Sequence, residues 1–183
     1  MATSLVLLKP DVVSHPILMK EVVQRLLSAG LQITGFRNCR LDRAQAEQLY
    51  RQHQGRFYYG RLVRHITSGP VLALRVSGDA RAVLGSSKLF PLSEEKEPTL
   101  RQQFAISDVR NVAHNSDREM AEAELELMAP METIDGLSLL KKPEVCPQEF
   151  HDQEALCRAD LLDKAGDREC DKMSNTDILH RIK

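Results

Sequence analysis

Apolar residues first gather in an unbroken run, Leu5-Val6-Leu7-Leu8, which Lys9-Pro10-Asp11 stops. A short run of this kind suits a strand buried on both faces, and the proline ends it, so Lys9 is expected at the strand's carboxyl end. Met19, Val22, Val23, Leu26 and Leu27 then recur at the helical period behind Ser14 and Pro16, with Gly30 where a C-terminal cap belongs. This predicts an amphipathic helix. Leu31 and Ile33 alternate with polar neighbours before Gly35, predicting a strand. Asp42 and Gln45 have the spacing of a capping box and open a helix through Leu49, Tyr50 and His53. Tyr58, Tyr59, Leu62, Val63 and Ile66 form a further helical stripe, Ser68-Gly69-Pro70 breaks it, and Val71 to Val76 alternate as a strand. Asp79 is placed to cap a short helix through Val83 and Leu84, and Gly85 to Thr99 reads as an exposed loop. Arg110 to Ala113 returns as a strand and Glu119 to Leu127 as a helix. Strands alternating closely with helices predict an α/β fold of the α+β sandwich type, a ferredoxin-like antiparallel sheet flanked by helices.

Beyond Met128 the pattern weakens, with Pro130, Gly136, Pro143 and Pro147 punctuating a charged stretch poor in aromatics. The expected organisation is one domain over residues 1–130 and a loosely ordered C-terminal extension over 131–183, in which Leu156, Leu161 and Leu162 support a modest helix. A chain of 183 residues with 42% hydrophobic content can bury one good core. The 25 Lys and Arg against 26 Asp and Glu are evenly mixed, leaving no basic footprint for nucleic acid or an anionic membrane. No apolar run approaches the ~18 residues of a membrane span. Cys39, Cys146, Cys157 and Cys170 show neither a Cys-x-x-Cys pair nor zinc-type spacing, so free thiols in a reducing compartment and no structural metal are expected. The amino terminus lacks the features of a secretory signal, which points to a cytoplasmic location, with a mitochondrial one as the alternative.

Chemistry concentrates in Asn111-Val112-Ala113-His114-Asn115-Ser116-Asp117. Histidine is substantially neutral near pH 7 and can attack phosphorus, and a hydroxyl beside it can hold an arriving or departing oxygen. Four further segments accompany it in a fixed order: Leu7-Leu8-Lys9-Pro10-Asp11, Arg56-Phe57-Tyr58-Tyr59-Gly60-Arg61-Leu62-Val63, Ser68-Gly69-Pro70-Val71 and Thr99-Leu100-Arg101-Gln102-Gln103-Phe104. Over residues 4–127 this set resembles the nucleoside diphosphate kinase family. Gln54 to Tyr58 gives it the look of the divergent animal branch called nucleoside diphosphate kinase 6.

The resemblance implies a ping-pong phosphotransferase that moves the γ-phosphoryl of a nucleoside triphosphate to a nucleoside diphosphate through a phosphohistidine at His114. It implies Ser116 bonding the transferring oxygen, Tyr50 beside the histidine, Lys9 and Arg101 on the phosphates, Tyr58 and Leu62 on the base and Asn111 on the ribose. Mg²⁺ would come with the nucleotide, with little ligation by the protein. Departures from the family pattern are also visible. Between Gly78 and Thr99 the count puts Gly85 or Ser86 where a phosphate-binding arginine belongs, finds no following threonine, and leaves Arg81 and Lys88 as nearby cations, implying weakened activity. Asp108 stands in place of a small apolar residue, and Asn115 in place of a glycine. The glutamate that holds the family's histidine is counted onto Leu125, between Glu124 and Glu126. The loop from Phe90 to Pro98 is short where the family builds its oligomer contacts, leaving a homo-oligomer or a hetero-partner subunit both open. The alternative reading is a family member with little activity that serves as a nucleotide-sensing or partner-binding module. An RNA-binding platform of Tyr58 and Tyr59 is disfavoured, because both fall on a helical stripe.

Overall fold

The computed structural model describes residues 3–87 and 98–141. Strand β1, Thr3–Leu8, carries the buried apolar run, with Leu5 to Leu8 all 0% exposed. It is inserted between β3, Val71–Ser77, and β4, Ala113–Asn115, antiparallel to both. Strand β2, Gln32–Cys39, pairs antiparallel with the other side of β3, and β5, Glu132–Thr133, with the outer edge of β2. The sheet order β4-β1-β3-β2-β5 is the ferredoxin-like antiparallel arrangement expected, extended by one short edge strand.

Both faces of the sheet are covered. Val6 and Leu8 of β1, with Leu72, Leu74 and Val76 of β3, pack against Met19, Val22, Val23 and Leu26 of α2, Pro16–Ser28. Leu5 and Leu7, with Val71 and Ala73, face Leu49 of α3, Arg43–Leu49, and Leu62, Val63 and Ile66 of α4, Tyr59–Ile66. Burial on two sides is why β1 reads as a continuous apolar run rather than an alternating one. Between β1 and α2 lies the single turn α1, Pro10–Val13. Gly30, at φ 80°, supplies the left-handed residue just past the end of α2.

Several boundaries differ from those read in the sequence. Strand β2 runs on to Cys39 because an irregularity between Ile33 and Gly35 resets the pairing register and interrupts the alternation. Helix α3 stops at Leu49 in its Asp42–Gln45 capping box frame; Tyr50 caps it and Arg51–His53 form a 3₁₀ turn. Helix α5 is Arg81–Leu84, with Asp79 Oδ1 accepting from the Arg81 N–H. The chain re-enters the fold as a helix, α6, Leu100–Phe104, whose Thr99 and Gln102 form a second capping box. Strand β4 lies later than the expected Arg110 to Ala113. Val112 takes φ 76° in a tight turn closed by Ala113 N–H to Asn111 O at 3.0 Å, so pairing begins only at Ala113. Helix α7 is Ala121–Leu127. Residues 131–141, grouped with the extension on sequence, continue the packed unit: β5 adds to the sheet, and Leu139 of α8, Gly136–Lys141, joins the core beneath α2. Pro130 turns the chain onto the edge of β2 rather than ending the fold. Lys88, the loop from Phe90 to Glu97 and the tail with Leu156, Leu161 and Leu162 lie outside the described residues. No helix among the described residues is long and apolar enough to cross a membrane.

Candidate active site

His114 is the middle residue of β4 and sits opposite Leu7 of β1, so the best-buried strand of the sheet fixes its backbone. Its ring is set by α7. Glu124 is 3% exposed, and its Oε2 accepts from His114 Nε2 at 2.7 Å and from Ser116 Oγ at 2.6 Å. A donor bond to a carboxylate assigns the proton to Nε2 and leaves the lone pair on Nδ1, the nitrogen that can act as nucleophile. Ser116, also 3% exposed, accepts in turn from the Leu5 N–H at 3.2 Å. Its hydroxyl is therefore engaged at both ends within the protein, and the group it orients is Glu124.

Tyr50 lies against the other side of His114, ring centroids 5.7 Å apart and planes at 85°. Burial, reinforced by the negative charge of Glu124, pushes the Tyr50 hydroxyl well above its usual range, so it remains a donor at any working pH. That hydroxyl has no hydrogen-bond partner among the described residues. Lys9, at the end of β1 and 3% exposed, donates Nζ to Val109 O at 2.7 Å and to Asn111 Oδ1 at 2.5 Å. Burial, with a further push from Arg101 and opposed by Asp11 and Asp108, lowers its pKa to about 7. Arg101 of α6 donates Nε to Asn111 O at 3.1 Å, Nη2 to Ala113 O at 2.7 Å and Nη1 to Gly85 O at 2.5 Å. It fastens the two residues around Val112 to the end of α5, and the two N–H groups left over are the ones an anion could use. Gly85, at φ 82°, has no room for a side chain, since a Cβ there would come within 2.1 Å of Thr99 Oγ1. Farther out, Tyr58 OH bonds His53 Nδ1 at 3.2 Å, and Leu62 lies behind it, 8% exposed.

A buried carboxylate, a histidine with a defined tautomer, and a lysine and arginine closing on the same segment form a site for an anion and a nucleophile. Comparison with known proteins gives it a lineage. The sequence pattern of the family described as nucleoside diphosphate kinase matches residues 2–134. The chain belongs to the nucleoside diphosphate kinase family. It is 34% identical over 119 residues to human nucleoside diphosphate kinase 6, the match covering 62% of this chain and 64% of that protein. It is 38% identical over 117 residues to the nucleoside diphosphate kinase of Sulfurisphaera tokodaii, covering 62% and 78%. The solved nucleoside diphosphate kinase of Halobacterium salinarum in complex with CDP superposes with a TM-score of 0.64 at 29% identity, covering 73% of this chain and 91% of that one. The matched part thus spans just under two thirds of the human relative.

Within the nucleoside diphosphate kinase frame, two readings by residue count change. The histidine's carboxylate comes from Glu124, not from position 125: Leu125 turns into the apolar layer with Tyr58 and Tyr59, and Glu126 is exposed. A helix rotates its side chains by about 100° per residue, so only one of the three adjacent positions can face β4. Among the described residues between Gly78 and Thr99 the cation is Arg81, one turn before the counted position. The single turn of α5 brings its guanidinium into a close ion pair with Asp117, three residues past His114. Burial lowers the Arg101 pKa to about 10, and the nearby Arg81 charge adds to that shift. Asp108 is not left as an isolated negative charge but is paired with Arg61. Sequence reasoning gave no site role to His53, read only as the end of a helical stripe, or to the Arg81–Asp117 pair, whose partners lie far apart in the chain. Glu124 did carry a periodicity signal: it shares the stripe Ala121, Glu124, Met128, the only charged member of a buried face.

One prediction concerns Arg101 as a structural clamp. Arg101→Lys cannot serve three carbonyls with one ammonium in that geometry and strands at least one, so about 2 kcal/mol of stability should be lost, read as a lowered urea midpoint at unchanged slope.

Proposed function

We propose that this chain transfers the γ-phosphoryl group of a nucleoside triphosphate to a nucleoside diphosphate through a phosphohistidine at His114. The observation that carries the reading is the buried Glu124 carboxylate accepting from both His114 Nε2 and Ser116 Oγ. His114 Nδ1 would attack the γ-phosphorus as the bond to the β-phosphate oxygen breaks, its electron pair leaving with the diphosphate. The ring becomes cationic, and the Glu124 carboxylate neutralises it in place. A terminal phosphate oxygen of a second diphosphate then attacks the same phosphorus and returns the histidine to its starting state. Ser116 holds Glu124, Tyr50 holds the ring edge-on, and Lys9 with the remaining Arg101 donors takes the phosphate charge. Tyr58 and Leu62 would receive the base and Asn111 the ribose. Stacking on Tyr58 ignores base identity, because every base has a π-face. Mg²⁺ would arrive on the phosphate oxygens of the substrate, with little ligation by the protein.

With purified protein, initial rates of triphosphate formation from ATP and a series of diphosphates should give parallel double-reciprocal lines, the signature of a covalent intermediate. Intersecting lines would refute the phosphohistidine route.

Lys9 makes the phosphate site sensitive to pH. Its folded pKa, about 7, lies below its ordinary 10.5, so the free protein loses this charge as pH rises through 7. Between pH 7 and 9 the phosphates have already ionised, their second pKa being about 6. Diphosphate affinity should therefore fall across that window, and Lys9→Met should remove the slope. The sign for stability is opposite: the unfolded chain holds the proton up to pH 10.5, so the Lys9 contribution to stability rises with pH from about 7.

A further inference from the structure

Lys9, Arg101 and Arg81 gather near the segment that carries His114, and they are held to different degrees. Lys9 Nζ is bonded to Val109 O and to Asn111 Oδ1, and the residue is 3% exposed. Arg101 gives three N–H groups to the carbonyls of Asn111, Ala113 and Gly85. Arg81 is held far more loosely: among the described residues its guanidinium pairs with Asp117 through Nη2 and Oδ1, and the two side chains are 56% and 60% exposed. The backbone places this pair beside the site. Arg81 opens α5 and Gly85 ends it, Gly85 N–H bonding Arg81 O at 2.8 Å, so the carbonyl that Arg101 grips lies one turn from Arg81. Asp117 directly follows Ser116, whose N–H bonds Leu5 O at 3.0 Å and whose hydroxyl bonds Glu124, the carboxylate that also holds His114. The charges act on one another across the same ground. Burial lowers the Arg101 pKa and the Arg81 charge adds to that shift; burial also lowers the His53 pKa, with His114, Arg56 and Lys9 pushing the same way and Asp117 opposing them.

We propose that Arg81 is a phosphate-binding residue parked on Asp117, and that the phosphates of a bound nucleotide draw it off that carboxylate. The inference rests on the reading of Lys9 and Arg101 as the phosphate site. An ion pair this wet adds little to stability, so opening it costs little. A terminal phosphate carries about −1.5 to −2 charge at pH 7 against −1 on a carboxylate, and it matches the planar fork of a guanidinium equally well. Asp117 stays solvated once its partner leaves, because more than half of its side chain already faces water. Lys9 and Arg101 are fastened to carbonyls of the main chain and cannot follow a phosphate; Arg81, on the exposed side of a single turn, can. Asp117 then acts as a brake, competing with the nucleotide for one cation.

The test is equilibrium binding of ADP to the full chain, to Arg81→Gln, to Asp117→Asn and to the double variant, with labelling of His114 from γ-labelled ATP measured in parallel. Asp117→Asn should bind ADP about threefold tighter than the natural protein, the modest gain from removing an exposed competitor. The double variant should bind about fivefold weaker than the natural protein, and Arg81→Gln weaker still, because it leaves the Asp117 charge uncompensated. The double variant decides the matter. It removes one charge of each sign, so a pair that stays closed predicts natural affinity there, whereas a lost phosphate contact predicts weaker binding. Thermal melting without nucleotide checks that all three variants fold. Natural ADP affinity in the double variant, or weaker binding by Asp117→Asn than by the natural protein, overturns the inference. The expected order of affinities without label on His114 would leave it standing and defeat the transferase reading; label on His114 with natural affinity in the double variant would do the reverse.

Discussion

Replacing His114 by alanine abolishes turnover, with an expected loss of ~10⁴-fold or more, the scale on which covalent catalysis fails when its nucleophile is removed. Around the empty position the rest of the site persists. Lys9 and Arg101 are held by main-chain carbonyls of Val109, Asn111, Ala113 and Gly85, none of which depends on the imidazole. Nucleotide affinity should therefore change by less than about threefold, because the residues proposed for phosphate and base keep their supports. The measurement is a pair: titration of a diphosphate into His114→Ala, and its rate of triphosphate formation. Retained binding with lost turnover separates a missing nucleophile from a collapsed site. Turnover within about tenfold of the natural protein would place the chemistry elsewhere.

The second large effect belongs to Glu124. Glu124→Gln keeps the size of the side chain but offers the His114 and Ser116 protons one neutral carbonyl in place of a carboxylate. It no longer neutralises a cationic ring and permits the tautomer with the proton on Nδ1, which cannot attack. A comparable loss of orientation in a buried carboxylate–histidine pair costs about 10⁴ in kcat. Here about 10² to 10³ is expected, since the Tyr50 ring still restrains the imidazole. KM should stay within a few-fold, because Glu124 touches no substrate. Glu124→Ala should add a stability loss of about 2 to 3 kcal/mol by leaving a buried N–H and a buried hydroxyl without an acceptor. Steady-state kinetics and urea unfolding on both variants test this; an unchanged kcat in Glu124→Gln would remove Glu124 from the mechanism.

The parts of this structure that were legible in the sequence are those enforced by periodicity and capping. Strand β1 announced itself by an unbroken apolar run, α2 by its stripe and Gly30, α3 by the Asp42–Gln45 box. The same signature at Thr99 and Gln102 opens α6 and was passed over because prolines and charges nearby suggested a loop. Strand β4 was displaced by a backbone feature with no side-chain signal: a valine at positive φ is strained, and composition cannot reveal which residue is strained. In the site, Lys9, Arg101, Asn111 and His114 stand on the ordered motifs, and the fold brings those segments together. Glu124 was missed by one because residue counts are carried between proteins across turns of unequal length, whereas the direction of a helical side chain is set locally. The proximity of Ser116 to His114 is legible in the sequence, whereas the bonds of its hydroxyl to Glu124 and to the Leu5 N–H are seen only in the fold. Arg81 was undervalued because its link to Asp117 crosses 36 residues, a distance no local pattern records.

The phosphohistidine itself can be observed. The full chain is incubated with Mg-ATP labelled on the γ-phosphate, the protein is trapped, and an unlabelled nucleoside diphosphate is then added. Acid-labile, base-stable label is expected on His114 and absent from His114→Ala, and it should leave the protein within one turnover and reappear as nucleoside triphosphate. No label on His114, or label that the diphosphate cannot remove, would contradict transfer through this residue.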